Sequence, residues 1–148
     1  EAKEKGSSLY KELLTIYTEY GFYKEHLISI VKKGIDGSEV IEKMMVELRN
    51  NPPSEIDKSK VAYIYDYQSS ICVNKLTGEV TEIKVPKSNV LIYHTADGSK
   101  IAARPSGTEP KIKFYFSVNK PLDYIENASK TEAQLDAKIQ RIIKEMSL

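Results

Sequence analysis

The chain has 148 residues, of which 41% are hydrophobic and 29% are charged, and its formal net charge is +1. This length suits about one domain with a core of its own. The balanced charge gives no reason to expect a nucleic-acid partner, and no apolar run approaches the roughly 20 residues of a membrane helix. A single cysteine, Cys72, excludes an intramolecular disulfide and favours a reducing, cytoplasmic compartment. Because the chain begins at Glu1 on a charged stretch, we expect it to be a piece of something longer.

The N-terminal part of the chain predicts a helix followed by a strand. Residues 7–20 place apolar side chains at helical spacing, between Ser7 or Ser8 as the N-cap and Gly21 as the stop. Residues 22–34 then alternate in hydrophobicity as a strand does. The apolar face of the first helix is expected to consist of Leu9, Leu13, Ile16, Tyr17 and Tyr20. We expect this helix to lie outside the sheet domain and its tyrosine-rich face to dock on a neighbour.

A second helix is predicted from Asp36 to the prolines at 52 and 53. Asp36 and Glu39 have the spacing of a capping box, and a pair of prolines cannot continue a helix. The face expected to be buried consists of Val40, Ile41, Met44, Met45 and Leu48.

From Lys60 onward the apolar pattern changes to a period of two, which predicts strands joined by hairpins. The Asp97-Gly98 turn is the strongest hairpin signal, and Thr77-Gly78 marks another. The predicted strands are 60–67, 69–74, 79–85, 88–95, 99–104 and 111–118, the last with Ile112, Phe114, Phe116 and Val118 on one face.

A final helix is predicted at 131–146, with Ser129 and Glu132 at capping-box spacing. Its inward face is expected to consist of Leu135, Ile139, Ile142, Ile143 and Met146. Hairpins imply antiparallel pairing, and helices at both ends of the chain can cover one face of the sheet. The predicted fold class is therefore α+β, an antiparallel sheet with helices packed on one face.

The segment ARPSGTEPKIKFYF, residues 103–116, concentrates rigid and hydrogen-bonding residues between two predicted strands. Pro105 fixes its own φ and favours an extended Arg104, and Gly107 can adopt a positive φ that lets backbone N–H groups converge on an anion. Ser106 and Thr108 add hydroxyl donors, and a guanidinium suits phosphate geometry. The pattern fits either an ordinary turn or a socket for an oxyanion such as phosphate.

Glu109 would repel a phosphate, so we expect its side chain to point away, toward Lys111 or Lys113. If it faced the socket, a sugar hydroxyl would be a better partner for it than a phosphate.

Other candidate residues favour structural roles. His26 and His94 are far apart in the sequence and have no metal-ligand spacing. The pair Ser69-Ser70 is not in a nucleophile elbow. Tyrosines at 63, 65 and 67 share one strand face but lack the basic surround expected of a nucleic-acid site.

The segment RPSGTEPKIKFY, residues 104–115, closely resembles the phosphate-binding loop in the last of the four domains of the α-D-phosphohexomutases. The segments 7–25, 60–67 and 86–94 are similar to the phosphoglucomutase/phosphomannomutase branch. The resemblance implies that residues 1–21 are a helix from the end of the preceding domain or linker. Residues 22–148 would then be the C-terminal (fourth) domain, with its TATA-binding-protein-like fold.

The same resemblance implies an enzyme, a phosphohexomutase that interconverts hexose 1-phosphate and hexose 6-phosphate by intramolecular phosphoryl transfer. The family's phosphoserine, magnesium and sugar loops lie in the first three domains. It therefore implies no catalytic residue, metal or cofactor in this chain, Mg²⁺ bound by a missing domain, and an activator of the glucose 1,6-bisphosphate type.

Carried over by position, Arg104, Ser106, Gly107 and Thr108 would hold the substrate phosphate that is not transferred, with Lys111 and Lys113 as secondary candidates. The implied partners are a phosphosugar and the preceding domains of the same protein, with no nucleic acid and no membrane. The chief alternative is a stand-alone anion- or protein-binding module without catalysis. A structural domain whose tyrosine face meets a partner is a third hypothesis.

Overall fold

The computed structural model describes Gly6, residues 8–34 and residues 36–148. The predictions about Glu1 and Ser7 lie outside these residues. In chain order the elements are α1 Leu9–Tyr20, β1 Phe22–Val31, α2 Gly37–Asn50, β2 Glu55–Ile56, β3 Ser59–Asp66, β4 Ile71–Asn74, β5 Val80–Glu82, β6 Leu91–Thr95, β7 Lys100–Pro105, β8 Lys111–Lys120, a single 3-10 turn at Ile125–Asn127, and α3 Ala128–Glu145.

The described strands form one antiparallel sheet in the order β1-β8-β7-β6-β3-β4-β5, with the short β2 paired to β3. The predicted hairpins β4–β5 and β6–β7 are both present. The first and last strands of the sequence pattern, β1 and β8, pair along their full lengths from Phe22 opposite Lys120 to Val31 opposite Lys111. This pairing brings the N-terminal part of the chain against the strand that follows the candidate loop.

The hydrophobic core lies between one face of this sheet and the helices. On β8 the alternate residues predicted to face inward are all buried, and α2 and α3 pack over them. The largest fully buried side chains are Tyr93, Phe114, Phe116, Met45, Ile56, Leu91, Ile101, Ile112, Leu135, Ile139, Ile142 and Val118. The predicted α+β class, with helices on one face of an antiparallel sheet, is confirmed. No helix within the described ranges combines the length and apolar character needed to span a membrane.

Tyr93 connects the sheet to the C-terminal end of α2. Its hydroxyl donates a hydrogen bond of 2.6 Å to the carbonyl oxygen of Leu48. That oxygen lies in the last turn of the helix, where carbonyls have no partner within the helix. The buried Tyr93 hydroxyl thus supplies a hydrogen-bond donor to a carbonyl oxygen at the C-terminal end of α2. Burial also raises the pKa of Tyr93.

Most of the apolar face expected of α1 is not covered by the sheet domain. Leu14 is the buried residue of this helix, and Tyr17 packs on Phe22 with ring centroids 4.5 Å apart. Leu9 and Tyr20, both on the expected apolar face, are 81% and 69% exposed. The main contacts of this helix are with the edge strand β1 and the 3-10 turn, so a narrow stripe of side chains suffices to hold it there.

Both predicted capping boxes are absent. Asp36 is the N-cap of α2, but its side chain makes no capping hydrogen bond. α3 begins at Ala128 after the 3-10 turn, so Ser129 and Glu132 lie inside the helix, and Glu132 forms an ion pair with Lys24 at 2.6 Å.

The structure differs from the sequence prediction in two smaller ways. On α2 the expected buried residue Val40 is 39% exposed, while Ile41 and Met45 are buried. The short strand β2 was not predicted, because its turn uses Asp57 and Lys58 at φ 47° and 66° instead of the usual Asn or Gly.

Candidate anion-binding site

The candidate loop joins β7 to β8, the two strands beside the sheet's edge strand β1. Arg104 lies opposite Lys113 and Pro105 opposite Ile112 in the strand register. Beyond this pair the Ser106 N–H donates to the carbonyl oxygen of Lys111 at 2.8 Å, which closes the hairpin. The loop's exit is also held, because the carbonyl oxygen of Pro110 accepts a 2.9 Å hydrogen bond from the Lys32 N–H.

An open cleft of about 370 Å³ lies along this loop. Its lining residues are Arg104, Pro105, Ser106, Gly107, Glu109, Lys111, Lys113 and Tyr115. The fold therefore brings together five of the six residues predicted for the site. Thr108 is the exception: it is exposed and does not line the cleft, although its N–H donates to Ser106 Oγ at 3.4 Å.

The cleft has a net positive charge from its side chains. Arg104, Lys111 and Lys113 stand against the single carboxylate of Glu109, which leaves two net positive charges. The guanidinium of Arg104 is exposed and has no hydrogen-bond or ion-pair partner among the residues that the structure describes. An exposed guanidinium free of internal partners can bind a phosphate or carboxylate in bidentate fashion.

The position of Glu109 agrees with its prediction in one respect and differs in another. Its Oε2 accepts from Lys111 Nζ at 2.7 Å, as expected. The hydrogen bond and positive charge of Lys111 hold the pKa of Glu109 below its usual value. The side chain nevertheless lines the cleft, so the expectation that it points away is not met.

The backbone of the loop differs from the predicted anion nest. Gly107 does not have a positive φ, and the Ser106 and Thr108 N–H groups already have acceptors within the loop. A methyl group placed on Gly107 would have no heavy atom within 4 Å. In this conformation the charged side chains, and not converging N–H groups, make the cleft attractive to an anion.

Tyr115 was missed as a site residue. It follows Lys113 by two positions on β8, so both side chains stand on the face of the sheet opposite to Phe114. The alternation that predicted the buried face of β8 also places Tyr115 on the same face as Lys111 and Lys113. This alternation could have identified Tyr115 as a site residue from the sequence.

The other candidates have structural surroundings. Ser69 donates to Asp66 Oδ2 at 2.7 Å, and Ser70 has φ 61°, both features of a turn. His94 packs on Tyr65 with ring centroids 5.1 Å apart, and burial lowers its pKa. Within the described ranges no group of three or more metal-ligating side chains comes together.

Sequence comparison relates the chain to phosphoglucomutases. The phosphoglucomutase of Staphylococcus aureus strain MRSA252 is 40% identical over 135 residues, which is 91% of this chain and 24% of that protein. The protein of the same name from strain MSSA476 is 42% identical over 118 residues, 80% of this chain and 21% of that protein. These relatives confirm the resemblance indicated by the motifs, and the chain spans about a quarter of their length.

No protein-family model matches the chain. Among solved structures, the open form of pp63/parafusin, a phosphoglucomutase from Paramecium, superposes with a TM-score of 0.46 at 14% identity, covering 96% of this chain and 25% of that one.

Proposed function

We propose that this chain is the C-terminal, substrate-phosphate-binding domain of a cytoplasmic phosphoglucomutase/phosphomannomutase. The whole enzyme would interconvert hexose 1-phosphate and hexose 6-phosphate by intramolecular phosphoryl transfer. The observation that carries the proposal is the cleft beside Arg104, which has two net positive charges and lies in the segment that resembles the family's phosphate-binding loop. The similarity to phosphoglucomutases over 91% of the chain supports it.

In this proposal the chain binds and orients the substrate and performs no bond-making step. Arg104 and Lys113, opposite each other on β7 and β8, would hold the phosphate that is not transferred, with Ser106 and Lys111 completing the contacts. Such a remote contact supplies binding energy that positions the reacting end of the sugar. Mg²⁺ and a bisphosphorylated activator would be bound by other domains of the same protein.

The rest of the enzyme would precede this chain and contact α1. Leu9, Tyr10, Leu13 and Ile16 line an exposed apolar surface on that helix. An exposed apolar patch on a helix commonly marks an interface. We assign this one to the preceding domain, with residues 1–21 as the connection to it and residues 22–148 as the fourth domain.

The isolated chain should bind phosphosugars weakly. Charge-assisted hydrogen bonds contribute about 1.5–3 kcal/mol each. Two or three of them, less the cost of association, leave roughly 4 kcal/mol, which corresponds to a Kd near millimolar.

An NMR titration of the 148-residue chain with glucose 6-phosphate tests the phosphate site. We expect amide shifts that include residues 104–113, their loss in Arg104→Ala, and partial retention in Arg104→Lys, which keeps the charge without the bidentate geometry. Lys84→Ala is the matched control, because Lys84 is exposed and follows β5 at the other edge of the sheet. Unmoved amides up to tens of millimolar, or equal effects of Arg104→Ala and Lys84→Ala, would contradict the proposed site.

The same substitution in the full-length protein separates the mutase from a stand-alone binding module. We expect Arg104→Ala to lower kcat/KM for glucose 1-phosphate by about 10- to 100-fold, equivalent to one lost charged contact. A full-length protein without mutase activity, but with anion binding that depends on Arg104, would favour the binding module instead.

A further inference from the structure

Tyr115 lies between two adjoining clefts of different character. It lines the cationic cleft beside Arg104 and also a second cleft of about 450 Å³ on the same open face of the sheet. Two positions along a strand correspond to about 7 Å. The Tyr115 side chain therefore lies about this distance from Lys113 along β8, on the same face of the sheet as Lys113 and Arg104.

The second cleft has an apolar floor and a polar rim. Leu27 and Ala102 are the direct neighbours of Tyr115 on the flanking strands β1 and β7, and Ile92 lies beyond Ala102 on β6. Polar side chains at its rim include those of Glu25, Lys100 and Ser117. A floor that is apolar, with hydrogen-bonding groups at its edge, suits a ligand with both hydrocarbon and hydroxyl surface.

The Tyr115 side chain is not used by the core. It points to the opposite face from Phe114 and Phe116, and 39% of it is exposed. Its hydroxyl has no hydrogen-bond partner among the described residues. A tyrosine in this state offers an apolar ring for stacking and a free polar group at its tip.

We propose that Tyr115 is the platform for the sugar ring of the phosphate ester whose phosphate is held beside Arg104 and Lys113. This proposal rests on the proposed function and deepens it, because it assigns the specificity for a cyclic organic group to this domain. The ring would lie over Tyr115, with its ester oxygen toward the cations and its far edge toward Leu27 and Ala102. Tyr115 would thus help the site to distinguish a hexose phosphate from inorganic phosphate.

Charge complementarity favours a small phosphate ester over a protein as the occupant. The apolar floor adjoins a cleft with two net positive charges. A phosphate dianion matches that charge in one contact, and its organic group then falls on the adjoining floor.

The test compares three ligands: inorganic phosphate, glycerol 1-phosphate, which has no ring, and glucose 6-phosphate. Kd values are measured by NMR titration of the 148-residue chain. We expect the wild type to bind glucose 6-phosphate more tightly than the other two. Tyr115→Ala should weaken the binding of glucose 6-phosphate about threefold to tenfold and change the Kd of inorganic phosphate less than twofold. Tyr115→Phe, which keeps the ring, should keep most of the preference.

Tyr63→Ala is the matched control. Tyr63 is also 39% exposed and stands on the same face, but on β3, three strands from β8. Tyr63→Ala should leave the Kd values of all three ligands unchanged. A dispersed amide spectrum verifies that each variant is folded. Equal weakening of all three ligands by Tyr115→Ala, no weakening, or an equal preference for glycerol 1-phosphate would overturn the platform while leaving the phosphate site intact. No binding of any ligand by the wild type would instead reject the proposed function and the platform together.

Discussion

Glu109 Oε2 and Lys111 Nζ form a 2.7 Å ion pair on the wall of the anion-binding cleft. The carboxylate occupies one of the three cations that the cleft offers to a ligand. An incoming phosphate must therefore compete with Glu109 for Lys111, and it also meets the negative charge of Glu109. Removing that carboxylate should favour any anion in the cleft.

We predict that Glu109→Gln strengthens the binding of inorganic phosphate about twofold to fivefold, the range expected for one exposed charge. Glu132→Gln is the control, because it removes the same charge from an exposed ion pair of 2.6 Å with Lys24, away from the cleft. Both variants are titrated with phosphate by NMR at low salt. Weaker phosphate binding in Glu109→Gln would show that this carboxylate organises the cleft instead of competing for it.

A second prediction concerns two glycines, Gly107 within the loop and Gly37 beside Pro110 at the end of the loop. A methyl on Gly37 would overlap the carbonyl oxygen of Lys32 and lie 2.9 Å from Pro110 Cβ, whereas a methyl on Gly107 meets open space. Gly37→Ala should therefore lower the free energy of unfolding by about 1–3 kcal/mol. Gly107→Ala should leave it within about 1 kcal/mol of the wild type, but weaken phosphate binding severalfold because the methyl stands in the cleft.

Urea denaturation and phosphate titration of the two glycine variants provide the measurements. Gly37→Ala should change the free energy of unfolding, whereas Gly107→Ala should change the Kd for phosphate. If Gly107→Ala binds phosphate as the wild type does, the ligand does not approach the loop backbone there.

The third prediction is a pH dependence of stability from Asp97, at the tip of the β6–β7 hairpin. Burial raises the pKa of this carboxyl, but hydrogen bonds from Lys138, Thr95 and Ser99 outweigh that effect and hold the pKa well below its usual 3.8. The unfolded chain therefore takes up this proton first as the pH falls. The stabilisation is present above about pH 4 and is lost as the pH falls below it.

Asp97→Asn should accordingly lower the free energy of unfolding at pH 7 by about 1–3 kcal/mol. The lower end is expected, because this side chain is 38% exposed and partly screened. The deficit should shrink at pH 3, where the wild type begins to lose the same interaction. Asp123→Asn, at an exposed residue with no ion pair among those the structure describes, is the control. A deficit of equal size at both pH values would mean that the charge of Asp97 is not its source.

The period-two pattern of apolar residues was sufficient to predict most strands of the sheet, because this alternation depends on burial alone. Ile112, Phe114, Phe116 and Val118 could be assigned to the core from their spacing, and Asp97-Gly98 marked its hairpin. The helix ends were less predictable. Whether Ser129 caps a helix depends on where the chain enters that helix, and the 3-10 turn before Ala128 decides this.

The candidate site also has features that could be predicted from the sequence and features that could not. Arg104, Ser106, Gly107, Lys111 and Lys113 could be grouped from the sequence, because a short loop between paired strands must keep them close. The φ of Gly107 could not be predicted, since glycine is permitted many conformations and the hydrogen bond between Ser106 and Lys111 selects among them.

The amino-acid sequence by itself determined the strand pattern, the buried face of β8 and the identity of the charged loop, because these depend on neighbours along the chain. Only the tertiary structure decided that β1 pairs with β8, that the start of α2 is pressed against Pro110, and that Tyr115 joins two clefts. These are contacts between segments distant in sequence. They arise from how the elements share one core, which no local pattern records.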